Sequence, residues 1–239
     1  MSVYILILFA FVGFAFLAFA RKWYDYPMLF TIAIGSAVNA NIYNSVSAPV
    51  YLGQFCFSID AILYTMFMFC VIICAKDYDV RRAKVLTSAV IAAILVSAVI
   101  EFFAGWSSIG YSDDLLIKFI GYLASSVGTF VGIWLMLAVF EKLEKKGVNI
   151  YLTFIICVLL ASVMNSTIYY SCVISISGRI DNLVYILLGS FIAKSLCVFL
   201  GELVYYINTH FWIPNSLKDK YPVKNVNDEK KINIKEKGV

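Results

Sequence analysis

Asp60, Glu101, Lys194 and Glu202 are ionisable, yet each lies well inside a long apolar run of this 239-residue chain. A charge at the centre of a bilayer costs at least about 2.5–3.5 kcal/mol on insertion scales. Such groups therefore face a bundle interior, where they pair or line a polar pathway. Lys194 stands eleven residues from the approximate start of its run at Leu183, near the middle of a span, with Asp60 and Glu101 as candidate partners. Glu202 follows eight residues later, about 12 Å further along a helix. Two readings stay open: a pathway for a solute or ion, or a buried ion pair that only sets helix register.

Amides and hydroxyls add to this set. Asn39, Asn41 and Asn44 share one run, and Asn165, Ser166 and Thr167 share another. Singly, such groups are interhelical glue. Two clusters together with Tyr64, Asp60 and Lys194 offer the donors and acceptors that suit a planar, hydrogen-bonding, weakly charged solute. The expected binding set is Asn41, Asp60, Tyr64, Glu101, Asn165 and Lys194. Catalysis finds little equipment. His210 is the single histidine, and the chain holds no G-x-S-x-G, no H-E-x-x-H and no phosphate-binding Gly-rich loop. The six cysteines lack C-x-x-C spacing and read as small buried hydrophobes. No catalytic residue, metal or cofactor is expected.

These residues need elements to hold them, and composition decides which. The chain is 62% apolar and 14% charged, with a mean hydropathy of +0.87. Soluble domains carry about 45–50% and about 25%. A soluble enzyme, a disordered chain and a disulfide-stapled module are excluded. Seven apolar runs, 3–20, 28–47, 55–75, 84–106, 116–140, 149–173 and 183–208, are each close to the roughly 17–25 residues that span hydrocarbon. The expected fold is all-α and polytopic, with seven transmembrane helices: one N-terminal helix plus a six-helix, transporter-like bundle. Residues 1–27 form that first helix and a cytoplasmic loop, 28–212 the bundle, and 213–239 a disordered Lys-rich tail.

Positive charge orients the spans. The segments after the first, third, fifth and seventh runs carry two, four, three and seven Lys or Arg, which is 16 of the 19 in the chain. By the positive-inside rule the N-terminus is outside and the C-terminus cytoplasmic. Asp60 and Glu101 then fall in the outer halves of their spans. The first run lacks a positive n-region, so it reads as an uncleaved anchor. The loop SVSAPVYLGQF, with Pro49 and Gly53, begins almost inside the membrane and is either an external gate or a tight turn. Gly128 and Gly132 have the small-xxx-small spacing of close helix packing.

From the second run onward the chain resembles the VUT family of bacterial integral membrane proteins, the queuosine-precursor transporters. The resemblance rests on VNANIYNSVSAP, GQFCFSIDAILYTMFMF followed by DYDVRRAK, FEKLEKKGVNIYLTFIICVLLASVMNSTIYY and SFIAKSLCVFL, in matching order. It implies a multi-pass protein of the bacterial plasma (inner) membrane that imports a 7-deazaguanine or related nucleobase-like solute. Asn41, Asp60, Asn165 and Lys194 would contact that solute. The chain departs from the family in its additional N-terminal helix and in the position of its acid, Asp60. The alternatives are a substrate-binding membrane subunit energised by a separate ATPase, and a non-transporting membrane scaffold. The implied partners are the small solute and the lipid bilayer, with no nucleic acid; a homo-oligomer is compatible with the chain.

Overall fold

The computed structural model describes residues 8, 10–17, 26–46, 50–52, 55–57, 59–110, 112–177 and 183–207. Among these, the elements run α1 (10–17), α2 (Tyr26–Val46), β1 (Val50–Leu52), β2 (Phe55–Phe57), α3 (Ile59–Asp77), α4 (Val80–Ile109), α5 (Asp113–Lys145), α6 (Ile150–Ser177) and α7 (Leu183–Ile207). The expected tail, His210, and the loop residues Pro49 and Gly53 lie outside the described residues.

Local chemistry sets the helix ends. Asp79 caps α4 by accepting from the Arg82 amide at 2.6 Å, and Ser112 caps α5 by accepting from the Leu115 amide at 3.2 Å. Gly147 stops α5 at φ 71°, a conformation that disfavours side chains. There its amide and that of Val148 return to the carbonyls of Glu144 and Leu143, closing the last turn. The links after α3, α4 and α5 are short, so consecutive helices run antiparallel.

Helix α3 is the hub. Residues 61–75 are all buried, and α3 touches α2, α4, α5, α6 and α7. Being enclosed on every side explains why it is apolar all round. Four stretches, Val80–Ser108, Leu115–Lys145, Ile150–Cys172 and Leu187–Ile207, are long and apolar enough to cross a membrane. Their outward faces carry exposed Val99, Ile100, Phe103, Phe130, Trp134, Leu196 and Phe199. So large an apolar exterior suits hydrocarbon surroundings, not water.

The closest pairing is between α5 and α6. A Cβ at Gly132 would lie 2.9 Å from the Ala161 carbonyl, and one at Gly128 would lie 3.1 Å from the Asn165 carbonyl and side-chain amide nitrogen. The glycine spacing serves packing, as expected. The Lys- and Arg-bearing segments from the end of α3 onward and at the end of α5 meet at one end of the bundle through an ion pair. Lys76 pairs with Glu144 at 3.0 Å, and Arg82 lies over the Tyr78 and Tyr26 rings at 5.5 and 5.9 Å.

Two expectations are corrected. The third run is not helical from residue 55: Phe55–Phe57 is a strand, and the helix begins at Ile59. The loop before it is neither a plain turn nor irregular, because Val50–Leu52 and Phe55–Phe57 pair antiparallel, with Val50 opposite Phe57 and Leu52 opposite Phe55. Pairing satisfies backbone groups that hydrocarbon would leave without partners, and the hairpin leans on α7. Among the described residues the fold is thus helical apart from this hairpin. The N-terminal helix packs against the other helices. Phe14 of α1 packs edge-on against Phe69 of α3 at 5.3 Å, in the space left by Gly201 of α7.

Two glycines give opposite predictions. Gly132→Ala is expected to destabilise the bundle by about 1–3 kcal/mol, because its methyl meets backbone. Gly35→Ala, with nothing within 4 Å of the added carbon, is expected to stabilise by about 0.5–1 kcal/mol. Thermal unfolding in detergent measures both.

Candidate functional site

Helical spacing assembles the site from pairs four residues apart, which share a helix face. Asp60 and Tyr64 come from α3, Ser125 and Thr129 from α5, and Ser190 and Lys194 from α7. Helix α6 supplies two such pairs, Asn165 with Tyr169 and Ser166 with Tyr170. These faces converge. Asp60, Tyr64, Ser125, Asn165, Ser166, Tyr169, Tyr170 and Lys194, together with Ala40 of α2, line one cavity.

Lys194 is the centre of this arrangement and is only 4% exposed. Its ammonium donates to Ser166 Oγ at 2.7 Å and to Asn165 Oδ1 at 3.4 Å, and sits 5.2 Å from the centre of the Tyr64 ring. An ammonium only donates, so Asn165 must turn its carbonyl oxygen to Lys194 and its amide nitrogen to the other side. There Nδ2 donates to the Tyr64 hydroxyl at 2.8 Å. The Tyr64 hydroxyl also hydrogen-bonds Thr129 Oγ1, its next partner. A continuous set of hydrogen bonds runs from Lys194 through Asn165 and Tyr64 to Thr129. Ser166 passes the contact sideways to Ser190 at 3.4 Å.

The energies explain why so many groups gather. Withdrawing an ammonium from water costs several kcal/mol after relaxation. Each hydrogen bond to a charged group returns about 1.5–3 kcal/mol, and a desolvated ring face about 2. Asp60 adds an electrostatic attraction to Lys194 from the cavity wall. The direct partners of Lys194 among the described residues are nonetheless neutral, where an acid was expected.

Of the six expected residues, the structure brings together Asp60, Tyr64, Asn165 and Lys194. Glu101 goes elsewhere. It accepts from the Tyr122 hydroxyl at the α4–α5 contact, and is not among the residues lining the cavity. Its run offered no way to tell an inward face from one turned to a neighbouring helix. Asn41 lies on α2, but its side chain is outside those described. Asn39 is exposed and donates to the Gly35 carbonyl at 2.7 Å. Sequence reasoning missed Tyr169, Tyr170, Ser125 and Thr129. The tyrosines could have been found by counting four residues on from Asn165 and Ser166.

The cavity is small, about 20 Å³, room for about one water. Its walls combine a cation, a carboxylate, an amide, hydroxyls and aromatic faces. No group of three or more His, Cys, Asp or Glu able to hold a metal occurs among the described residues. Of the described cysteines, Cys70, Cys74, Cys157 and Cys197 are buried free thiols, whereas Cys172 is exposed, against expectation.

Comparison with protein families, with curated proteins and with solved structures finds no match to the chain.

Asn165→Leu removes the acceptor of Lys194 and the donor to Tyr64 together. It is expected to destabilise by about 1–3 kcal/mol. Glu101→Gln keeps an acceptor for Tyr122 and lies outside the cluster, so its expected effect is within about 0.5 kcal/mol. Thermal unfolding of the two purified variants in one detergent makes the comparison.

Proposed function

We propose that the chain is a seven-span transporter of the bacterial plasma membrane, N-terminus out and C-terminus in, importing a small nucleobase-like solute. A 7-deazaguanine precursor of queuosine is the first candidate. The single observation carrying this reading is Lys194, a buried ammonium on a long apolar helix, held by neutral partners and facing a cavity that Asp60 also lines. Intramembrane ionisable groups around a cavity between helices mark solute and ion pathways. The described cationic segments meeting at one end of the bundle support the orientation. The family resemblance supports the solute class.

The cavity walls match such a solute in kind. A fused heterocycle presents in-plane donors for Asp60, acceptors for Lys194 and Asn165, and flat faces for Tyr64, Tyr169 and Tyr170. They do not match it in size. Ordinary ligand pockets hold about 300–1,000 Å³, against about 20 Å³ here. The described conformation is therefore closed, and transport requires the helices to part around Lys194, as alternating access demands. A scaffold reading is favoured by the same closure, since the polar side chains largely satisfy one another.

Purified protein in proteoliposomes, given labelled 7-deazaguanine, tests the proposal. Uptake is expected, with a loss of at least about tenfold (1.4 kcal/mol) in Lys194→Met. That variant should fold, because an apolar chain of similar size replaces a buried charge. Unchanged uptake in it removes Lys194 from the mechanism. Solute at 100 times its Kd should stabilise the wild type by about 2.7 kcal/mol. Stabilisation without uptake assigns the chain to a binding subunit that needs a separate ATPase. Neither effect across a panel of nucleobases leaves the scaffold.

A further inference from the structure

Glu202 takes no part in the Lys194 cluster. It lies two turns further along α7, is only 7% exposed, and neither of its carboxylate oxygens has a hydrogen-bond partner among the described residues. It lines an open groove of about 420 Å³ between α6 and α7, whose lining among the described residues includes no Lys or Arg. A carboxylate held out of water without a counter-charge costs several kcal/mol. Both oxygens are covered in this conformation, and rotation of the Glu202 side chain into the groove brings them to a counter-charge.

Three features choose the occupant. The walls are mainly apolar, with Leu152, Ile155, Phe199 and Leu203 between the rings of Tyr151 and Tyr206. They continue onto the exposed Leu196 of α7 and Ile156 of α6, a track for a hydrocarbon chain. Asn149, just before α6, lines the groove and caps the helix by accepting from the Tyr151 amide at 2.9 Å, so the positive end of a 28-residue helix lies beside the groove and favours an anion. Glu202 requires a cation beside that anion. A cation and an anion on a short spacer, carried by an apolar chain, describe a zwitterionic phospholipid. Two carboxylate oxygens without donors select a primary ammonium, which donates N–H bonds, over a quaternary one, which cannot.

We infer that the α6–α7 groove is a binding site for a phosphatidylethanolamine lipid, with its ammonium on Glu202, its phosphate toward the start of α6 and an acyl chain along Phe199 and Leu203. This site lies apart from the Lys194 cavity and does not depend on what that cavity transports.

Nanodiscs holding the full chain test the assignment, prepared with phosphatidylethanolamine or phosphatidylcholine against the same phosphatidylglycerol background. Native mass spectrometry then counts the lipid retained on release. The wild type should retain the ethanolamine lipid over the choline lipid by at least about tenfold, and Glu202→Gln should lose that preference. Leu203→Trp, which fills the groove and keeps the carboxylate, should lose retention as well. Equal retention of the two lipids, or an unchanged preference in Glu202→Gln, overturns the site. Soluble phosphoethanolamine raising the thermal midpoint in detergent as much as the lipid does overturns the lipid assignment.

Discussion

An ammonium group buried between apolar helices must be given partners by the protein, and much of the interior follows from that demand. Lys194 on α7 reaches Asn165 and Ser166 on α6, Asn165 reaches Tyr64 on α3, and Tyr64 reaches Thr129 on α5. Each residue answers the requirement left by the one before it. Lys194 sets the orientation of Asn165, because a group that only donates fixes the orientation of the amide beside it. Four helices are thereby tied at a common level by groups that would each be costly alone.

At this level α5 and α6 also approach closely. Gly128 abuts Asn165, so the absence of a side chain on α5 is what lets the amide of α6 sit where Lys194 and Tyr64 both reach it. Packing and polar chemistry are one constraint at this point. Elsewhere they separate. Helix α3 is apolar because it is enclosed on all sides, and α4 is apolar because much of it faces outward. The two helices share a composition for opposite reasons.

Two carboxylates show how place decides chemistry on such a scaffold. Glu101 lies at the contact of α4 and α5, where the Tyr122 hydroxyl satisfies it, and its role there is structural. Glu202 lies where α6 and α7 diverge into an open groove, and nothing described satisfies it. The difference is geometric. One helix pair closes around its acid and the other opens beside it.

Four membrane-length helices were legible in the sequence, and so were Asn165 and Lys194 as members of one polar set, though not their contact. Hydropathy is a property of each segment by itself, and a buried lysine needs company wherever it falls. The strand at Phe55–Phe57 was not legible, because a short apolar stretch serves a hairpin or a helix equally well until its backbone partner is known. The core position of α1 depended on Gly201, more than 180 residues away in the chain. Which acid stands near Lys194 was equally hidden, since Asp60 and Glu101 look alike in their runs. Segment-by-segment burial of apolar groups determined the elements. Only tertiary structure decided which faces met, because facing is a relation between segments that no single run contains.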